Sequence, residues 1–310
     1  MTTTSSTHET RRAPERIRLP GGRTVAVHTL TTGTSDRIVV VCHAAPGSGL
    51  FDPDPHESAR HDVTILAVDR PGYGGSDPVA DGSWASVDSA ADDVASVLDA
   101  LERRTVGVVG WSAGGRVALA LAARRPDLVD RVAVVATPAP NDQVAWIPPE
   151  HSQAMEELRP MPPTAVHAIF AEQFTAMVPS DPYAPEALAL LEVGAMDADA
   201  LAIDGVRARL GHMLAQAFTQ GATGLAADIA GYVLRPWGFD PADVRAETLL
   251  LYGEVDPVAD GRHAAWWQQA LPDAHVETVP GAGHAVIVPM WHRVLTHVAP
   301  NSLRTARTAV

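Results

Sequence analysis

The sequence predicts an α/β fold, with a mostly parallel central sheet flanked by helices and a helical insertion late in the chain. Two parts of the sequence support the sheet, because short apolar runs rich in β-branched residues alternate there with helical segments. Such alternation is typical of parallel strands joined by crossover helices. Between these two parts, residues 138–240 contain several helical segments and no convincing strand, which predicts the insertion.

Composition narrows the classes of function. Of 310 residues, 46% are apolar, which is enough for a large core. The formal net charge is −14, from 23 Lys and Arg against 37 Asp and Glu. An acidic chain without a Lys/Arg cluster is not expected to bind nucleic acid or an anionic membrane.

The cellular compartment of the protein is predicted from its single cysteine and from the composition of the two ends of the chain. Cys42 has no partner for an intrachain disulfide, which favours a reducing, cytoplasmic environment. No apolar run reaches the roughly 18 residues of a membrane helix, and no apolar segment follows the N-terminal charges as in a secretory signal. Residues 1–15 and 300–310 have the composition of disordered tails.

The first elements of the core are predicted to be strands. Residues 16–19 and 25–30, separated by Pro-Gly-Gly, indicate a β-hairpin. Residues 37–42 and 63–69 are continuous apolar strands, each followed by a loop rich in glycine and proline. Ser83 is predicted to cap the long helix that follows.

Residues 105–125 contain the most informative pattern in the chain. A buried strand leads into Gly-Trp-Ser-Ala-Gly at 110–114, and an alanine-rich helix follows at once. This is the setting of a nucleophile elbow, in which a serine sits on a tight turn before a helix. Ser112 is therefore the predicted nucleophile, and the backbone N–H of Ala113 is placed to bind an oxyanion.

The remaining elements complete the sheet. Strands are predicted at 131–136, 248–252 and 276–279, and helices at 261–271 and 290–298. The insertion is predicted to contain five helices, at 150–159, 164–177, 185–203, 206–218 and 223–234. The predicted organisation is thus a core formed by 16–137 and 241–299, with 138–240 as a helical cap over the carboxyl edge of the sheet, where ligands bind in such folds.

Three polar residues follow predicted strands in the order Ser112, Asp256 and His284. Carboxyl ends of parallel strands lie at one edge of the sheet, so residues far apart in sequence can meet there. A serine hydroxyl needs a neighbouring imidazole to take its proton, and the imidazole needs a carboxylate to fix its tautomer. Glu254 and Asp142 are alternative candidates for the acid.

Together these motifs resemble the α/β-hydrolase superfamily, in particular its capped branch with a serine nucleophile, which includes esterases and haloperoxidase-like proteins. The matching motifs are GWSAG at 110–114, HAAPGS at 43–48, DRPGYG at 69–74, GEVDP at 253–257 and GH at 283–284. The resemblance implies that the N–H of Ala45 is the oxyanion donor paired with Ala113. The family's loop usually has glycine where this chain has Ala44. A serine in place of the aspartate of dehalogenases and epoxide hydrolases argues against both of those chemistries.

The expected function is cleavage of a small to medium apolar ester or lactone through an acyl-enzyme. The same triad could instead support carbon–carbon bond hydrolysis, perhydrolysis or ring formation, and a non-catalytic ligand receptor is the alternative from another class. Trp111, His43 and His212 are candidate substrate contacts, and His43 is also expected to order the oxyanion loop. No cofactor and no metal site are predicted, because neither a nucleotide-binding motif nor metal-ligand spacing is present. A small molecule is the expected partner, and the oligomeric state is left open.

Overall fold

The computed structural model of the protein describes residues 13–300. The tails predicted at 1–15 and 300–310 lie outside this range except for residues 13–15 and 300. Within the described range, no helix is both long enough and apolar enough to cross a membrane.

Eight strands form one mixed sheet, and this confirms the predicted fold class. The strands are β1 Glu15–Arg18, β2 Thr24–Thr31, β3 Ile38–Cys42, β4 Thr64–Val68, β5 Val106–Trp111, β6 Val129–Val135, β7 Glu247–Gly253 and β8 Ala274–Val279. Their order in the sheet is β1-β2-β4-β3-β5-β6-β7-β8. The predicted hairpin forms the antiparallel pair β1–β2, β2 is also antiparallel to β4, and all remaining pairs are parallel.

Ten α-helices surround or extend from the sheet in the described part of the chain. They are α1 Pro55–Arg60, α2 Val87–Ala100, α3 Ala113–Arg124, α4 Pro149–Leu158, α5 Pro163–Thr175, α6 Ala198–Ala202, α7 Val206–Ala217, α8 Thr223–Leu234, α9 Gly261–Ala270 and α10 Trp291–Val298. The predicted cap for α2 was one turn too early. Ser86, not Ser83, is the N-cap of α2, because its hydroxyl accepts a hydrogen bond from the N–H of Ser89.

The elements between β6 and β7 are helical throughout the described chain, and we call residues 149–234 the helical insert. The single helix predicted at 185–203 is wrong. Glu192 has a left-handed backbone (φ 56°) that ends a 3₁₀ helix at Pro185–Leu191, and a second 3₁₀ helix at Ala195–Asp197 precedes the short α6. A residue with a left-handed backbone cannot continue a right-handed helix, so the helix ends at this point.

Side chains from the central strands alternate between two apolar layers. Val39, Val41 and Val109 belong to one layer, whereas Val40 and Val108 belong to the other. Parallel strands that are covered by helices on both faces need apolar residues at every position, which explains the continuous valine runs.

The helical insert belongs to the first of these layers. Leu210, Met213 and Leu214 of α7 are fully buried in the same cluster as Val39 and Val109. The insert is therefore joined to the sheet by a shared apolar core, and it is not an independent unit.

The parallel strands place their carboxyl ends side by side. Cys42 pairs with Gly110, Trp111 pairs with Val135, and Gly253 pairs with Val279 in the register of the sheet. The loops that follow β3, β5, β6, β7 and β8 therefore leave the sheet from one edge.

Candidate active site

Ser112 occupies a strained turn between β5 and α3. Its backbone has φ 53° and ψ −123°, outside the regions that non-glycine residues usually adopt. Such strain costs on the order of 1–3 kcal/mol and must be held by the surroundings. Here the N–H of Ser112 donates to the carbonyl of Val135 at 2.8 Å, and its own carbonyl accepts from the hydroxyl of Thr137 at 2.8 Å. The turn thus leaves the serine side chain half-buried at the sheet edge.

Both glycines of the GWSAG motif are required by close backbone contacts. A Cβ at Gly110 would lie 2.4 Å from the Cα of Gly115, and a Cβ at Gly114 would lie 2.0 Å from the carbonyl oxygen of Cys42. The start of α3 therefore packs directly against the end of β3. This contact brings Ala113 close to the loop that contains Ala45, so the two predicted oxyanion donors belong to adjacent segments.

Asp256 and His284 form a buried pair beyond the ends of β7 and β8. The Nδ1 of His284 lies 2.8 Å from Oδ2 of Asp256, and the residues are 1% and 4% exposed. Oδ1 of Asp256 accepts hydrogen bonds from the N–H groups of Val258 (2.8 Å) and Ala259 (3.1 Å), which fixes the carboxylate. Because a carboxylate can only accept, Nδ1 carries the proton in the neutral ring and Nε2 keeps its lone pair.

The two alternative acids are placed differently. Oε2 of Glu254 accepts a hydrogen bond from the N–H of Gly281 at 3.0 Å, and Asp142 is exposed in the loop that follows β6. Of the three carboxylates that the sequence suggested, Asp256 is the one that contacts His284.

Trp111 connects the end of β5 to the loop that carries His284. Its indole N–H donates to the carbonyl oxygen of His284 at 2.9 Å, and the two ring centroids are 6.1 Å apart. On its other side the indole packs against Phe51, with centroids 5.4 Å apart. Trp111, a candidate substrate contact from the sequence, is 1% exposed and uses its polar atom in this bond.

Asp197 is a residue of this site that sequence reasoning missed. It lies in the helical insert, is 3% exposed, and its Oδ1 accepts from the N–H of Ala285 at 2.7 Å. Oδ2 accepts from the N–H of Gly194 at 3.1 Å. A Cβ at Gly283 would lie only 2.6 Å from Oδ1, so glycine before His284 makes room for this carboxylate. The insert thereby holds the backbone on both sides of His284.

The predicted oxyanion loop is held by a buried guanidinium. Arg70 donates to the carbonyl oxygens of His43 and Ala44, and its Nη2 lies 2.7 Å from Oδ2 of Asp228 on α8. Burial lowers the pKa of Arg70, but its interactions with Asp228, Tyr73 and Cys42 together outweigh burial and the net shift is upward. Arg70 is therefore a permanent cation that links the helical insert to the loop.

Asp69 and Arg70 are neighbours in the chain, but their side chains have different partners. Asp69 contacts Nε2 of His28 at 3.0 Å and accepts from the N–H of Gly49 at 2.7 Å. Arg70 instead pairs with Asp228.

His43 lies beneath the same loop as a neutral ring. Burial lowers its pKa well below the usual value, and the charge of Arg70 lowers it further. Nδ1 lies 2.8 Å from the carbonyl oxygen of Ala44, and Nε2 accepts from the N–H of Arg70 at 3.1 Å. These two contacts fix the tautomer with the proton on Nδ1. The ring is 3% exposed and orders the loop from below.

His212, the third candidate substrate contact, lies on α7. Its Nδ1 is 2.6 Å from the carbonyl oxygen of Ala208, and its ring packs edge-to-face on Tyr183 at 5.1 Å between centroids. The side chain is half-buried, so one edge of the ring stays accessible.

Known proteins are similar to this chain in sequence and in fold. Over 272 residues it is 28% identical to the pimeloyl-[acyl-carrier protein] methyl ester esterase of Nitrosomonas europaea, covering 84% of this chain and 93% of that protein. Over 278 residues it is 25% identical to the 2-hydroxy-6-oxononadienedioate/2-hydroxy-6-oxononatrienedioate hydrolase of Burkholderia vietnamiensis, covering 85% and 86%. A solved thermophilic esterase from Thermogutta terrifontis has the same fold, with a TM-score of 0.65, 21% identity, and coverage of 91% of this chain and 95% of that chain. The profile of the alpha/beta hydrolase fold family matches residues 37–289, and the chain belongs to that family.

Proposed function

We propose that this chain, a hydrolase by its family, is a serine hydrolase that cleaves small to medium apolar esters or lactones through an acyl-enzyme. The observation that carries the proposal is the buried 2.8 Å contact between His284 and Asp256. This contact lies at the edge of the sheet where Ser112 follows β5. A histidine with its proton fixed on Nδ1 is prepared to act as a base through Nε2.

The proposed reaction has two halves. Ser112 Oγ attacks the acyl carbonyl while Nε2 of His284 takes its proton, and the Asp256 carboxylate stabilises the imidazolium that forms. The N–H groups of Ala45 and Ala113 bind the negative oxygen of the tetrahedral intermediate. The intermediate collapses, the leaving alkoxide receives the proton from His284, and an acyl-serine remains. Water then attacks the ester with His284 again as base, which releases the acid and restores the serine.

We further propose that the helical insert acts as a cap that selects the acyl group. This proposal is supported by two contacts that the insert makes, one with the loop that follows β3 and one with the loop that follows β4. The hydroxyl of Ser48 donates to the carbonyl of Met213 at 3.0 Å, and Arg70 pairs with Asp228 as described above. The apolar side chains that α7 contributes favour an apolar substrate. The methyl ester hydrolysed by the Nitrosomonas relative is of the bond type that we propose here.

The proposal is tested by labelling the protein with a small fluorophosphonate and mapping the modified peptide by mass spectrometry. One adduct on Ser112 is expected, absent in Ser112→Ala and reduced at least about 10³-fold in rate in His284→Ala. Ser89→Ala, which changes a serine on α2, serves as the matched control and should label normally. Ester hydrolysis that survives in Ser112→Ala would refute the mechanism.

Carbon–carbon bond hydrolysis is the second candidate, and the Burkholderia relative favours it. Both reactions need the same three residues, so labelling does not separate them. Turnover should therefore be compared on p-nitrophenyl esters of increasing acyl length and on a dienone with a vinylogous diketone. Activity on the dienone without activity on any ester would replace the ester assignment.

A further inference from the structure

Three side chains of types that can bind a metal ion lie close together between helices α1 and α10. Glu57 lies on α1, His61 is the residue that ends α1, and His292 lies in the first turn of α10. One donor atom from each lies within 4.8 Å of the other two. Glu57 and His61 are four residues apart, so their side chains project from the same face of the helical turn. The sequence spacing predicts no metal site, because His292 is 231 residues away from His61.

Two of the three distances between these donors are close to those found around a small metal ion. Nδ1 of His292 is 3.2 Å from Nε2 of His61 and 3.1 Å from Oε2 of Glu57. Zinc bonds to nitrogen and oxygen are about 2.0–2.2 Å long, so two ligands of a tetrahedral zinc ion lie roughly 3.3–3.5 Å apart. Both measured separations need to open by only a few tenths of an ångström.

The contacts of His292 are compatible with a cation between the three side chains. Nδ1 of a neutral His292 bears either one proton or one lone pair, but it faces two groups. If it donates to the carboxylate, Nε2 of His61 is left to share that same proton. If it accepts from His61, its lone pair faces the negative carboxylate of Glu57. For a neutral His292, a divalent cation that accepts all three lone pairs would satisfy these groups together.

One contact between the two helices does not involve the donors. The indole N–H of Trp291 donates to the buried hydroxyl of Ser58 at 2.8 Å. Arg60 binds the other oxygen of the Glu57 carboxylate, Oε1, at 2.7 Å, so Oε2 remains directed at His292. His61 is fully buried, whereas the side chain of His292 is 52% exposed. The cluster is therefore preorganised on its inner side and accessible from solvent on its outer side.

We propose that Glu57, His61 and His292 bind one Zn²⁺ ion that clips α1 to α10, with water in the fourth position. Two imidazoles and one carboxylate are a ligand set that zinc commonly uses. Helix α1 follows the loop that contains Ala45, and α10 follows the loop that contains His284. The ion would thus link the two segments that lead away from the proposed active site.

The test uses full-length protein without an affinity tag, stripped with a chelator and titrated with ZnCl₂ by calorimetry. One ion per chain is expected, together with a rise in Tm that grows with zinc concentration. His292→Ala should weaken Kd by at least about tenfold and abolish most of the rise in Tm. The matched control is His275→Ala, which removes another exposed histidine beside a glutamate, Glu277 at 3.7 Å. His275→Ala should change neither the Kd for zinc nor the rise in Tm.

Equal zinc binding by His292→Ala and the unchanged protein would overturn the proposal, and so would the absence of stoichiometric binding. Co²⁺ provides a second readout that does not depend on stability. Intense visible absorption, typical of four-coordinate cobalt, is expected in the unchanged chain and should be lost in Glu57→Gln. Weak absorption of the six-coordinate type, unaffected by that substitution, would show that the three side chains do not enclose the ion.

Discussion

The indole N–H of Trp111 donates a hydrogen bond of 2.9 Å to the carbonyl oxygen of His284. Trp111 is the last residue of β5, and His284 follows β8. In the sheet, β6 and β7 lie between these two strands. The side chain of Trp111 therefore reaches across the ends of β6 and β7. It connects the residue that precedes the proposed nucleophile, Ser112, to the backbone of the proposed base, His284. The relative position of the two groups depends on this bond as well as on the register of the sheet.

Trp111→Phe should lower kcat by about tenfold and leave KM nearly unchanged, because the ring stays in place but the histidine loop loses one anchor. The lost hydrogen bond should reduce the free energy of unfolding by about 1–3 kcal/mol, since the buried carbonyl of His284 loses its donor. Steady-state kinetics and urea unfolding measure the two effects. Trp237→Phe is the matched control, because it removes another indole donor, to the carbonyl of Tyr232 at 2.9 Å. A similar loss of kcat in both variants would contradict a specific role for Trp111.

Asp197 is expected to position His284 through the backbone. Asp197→Ala leaves the buried N–H group of Ala285 without its acceptor, which should cost about 1–3 kcal/mol of stability and lower kcat more than it raises KM. Asp197→Asn keeps one acceptor oxygen and should restore part of kcat. The exposed Asp199, two residues further along, provides the control variant Asp199→Ala. If Asn restores stability but not kcat, the residue supports the fold without positioning the base.

The strands and the three proposed catalytic residues could be predicted because their signals are local. Short runs rich in apolar residues identify the strands, and GWSAG, GEVDP and GH each follow a predicted strand within a few residues. The register of the sheet then brings these turns to one edge without further information. The same reasoning predicted the hairpin β1–β2 and the boundaries of α8.

The contacts made by the helical insert could not be predicted in this way. Asp197 binds a backbone N–H that is 88 residues away, and Asp228 binds Arg70 over 158 residues. Each is one acidic residue among many in an acidic chain, and nothing in its neighbours distinguishes it from a surface carboxylate. The break at Glu192 was missed for a similar reason, because a left-handed glutamate has no sequence signature comparable to glycine.

The buried pair between Arg70 and Asp228 should be important both for stability and for the oxyanion loop. Asp228→Asn leaves the Arg70 charge buried without its counterion, so the free energy of unfolding should fall by about 3–5 kcal/mol. If the folded fraction is kept high, kcat should also fall, because Arg70 binds the carbonyls of His43 and Ala44. Asp92→Asn breaks an exposed pair with Arg124 (2.8 Å) and should cost less than about 1 kcal/mol. Equal costs for the two variants in urea unfolding would contradict the proposed role of burial.

The neutral state of His43 predicts how stability depends on pH. Its pKa in the folded chain is well below 6.5, the value expected in the unfolded chain, mainly because the ring is buried. As pH falls below about 6.5, the unfolded chain takes up a proton that the folded chain does not. The free energy of unfolding should therefore fall with decreasing pH, by up to about 1.4 kcal/mol per pH unit from this residue.

His43→Gln isolates that contribution, because glutamine can donate and accept hydrogen bonds at this position without titrating. Asp52 acts in the opposite direction: burial raises its pKa to about 6, so the folded chain takes up this proton first and gains stability as pH falls below 6. Asp52 is present in both proteins, and its effect cancels when the two curves are subtracted. The difference in unfolding free energy between the unchanged chain and His43→Gln, measured in urea from pH 7.5 to 5, should be flat above pH 7 and slope below 6.5. A difference that stays constant over the whole range would mean that His43 titrates equally in both states and is not held neutral by burial.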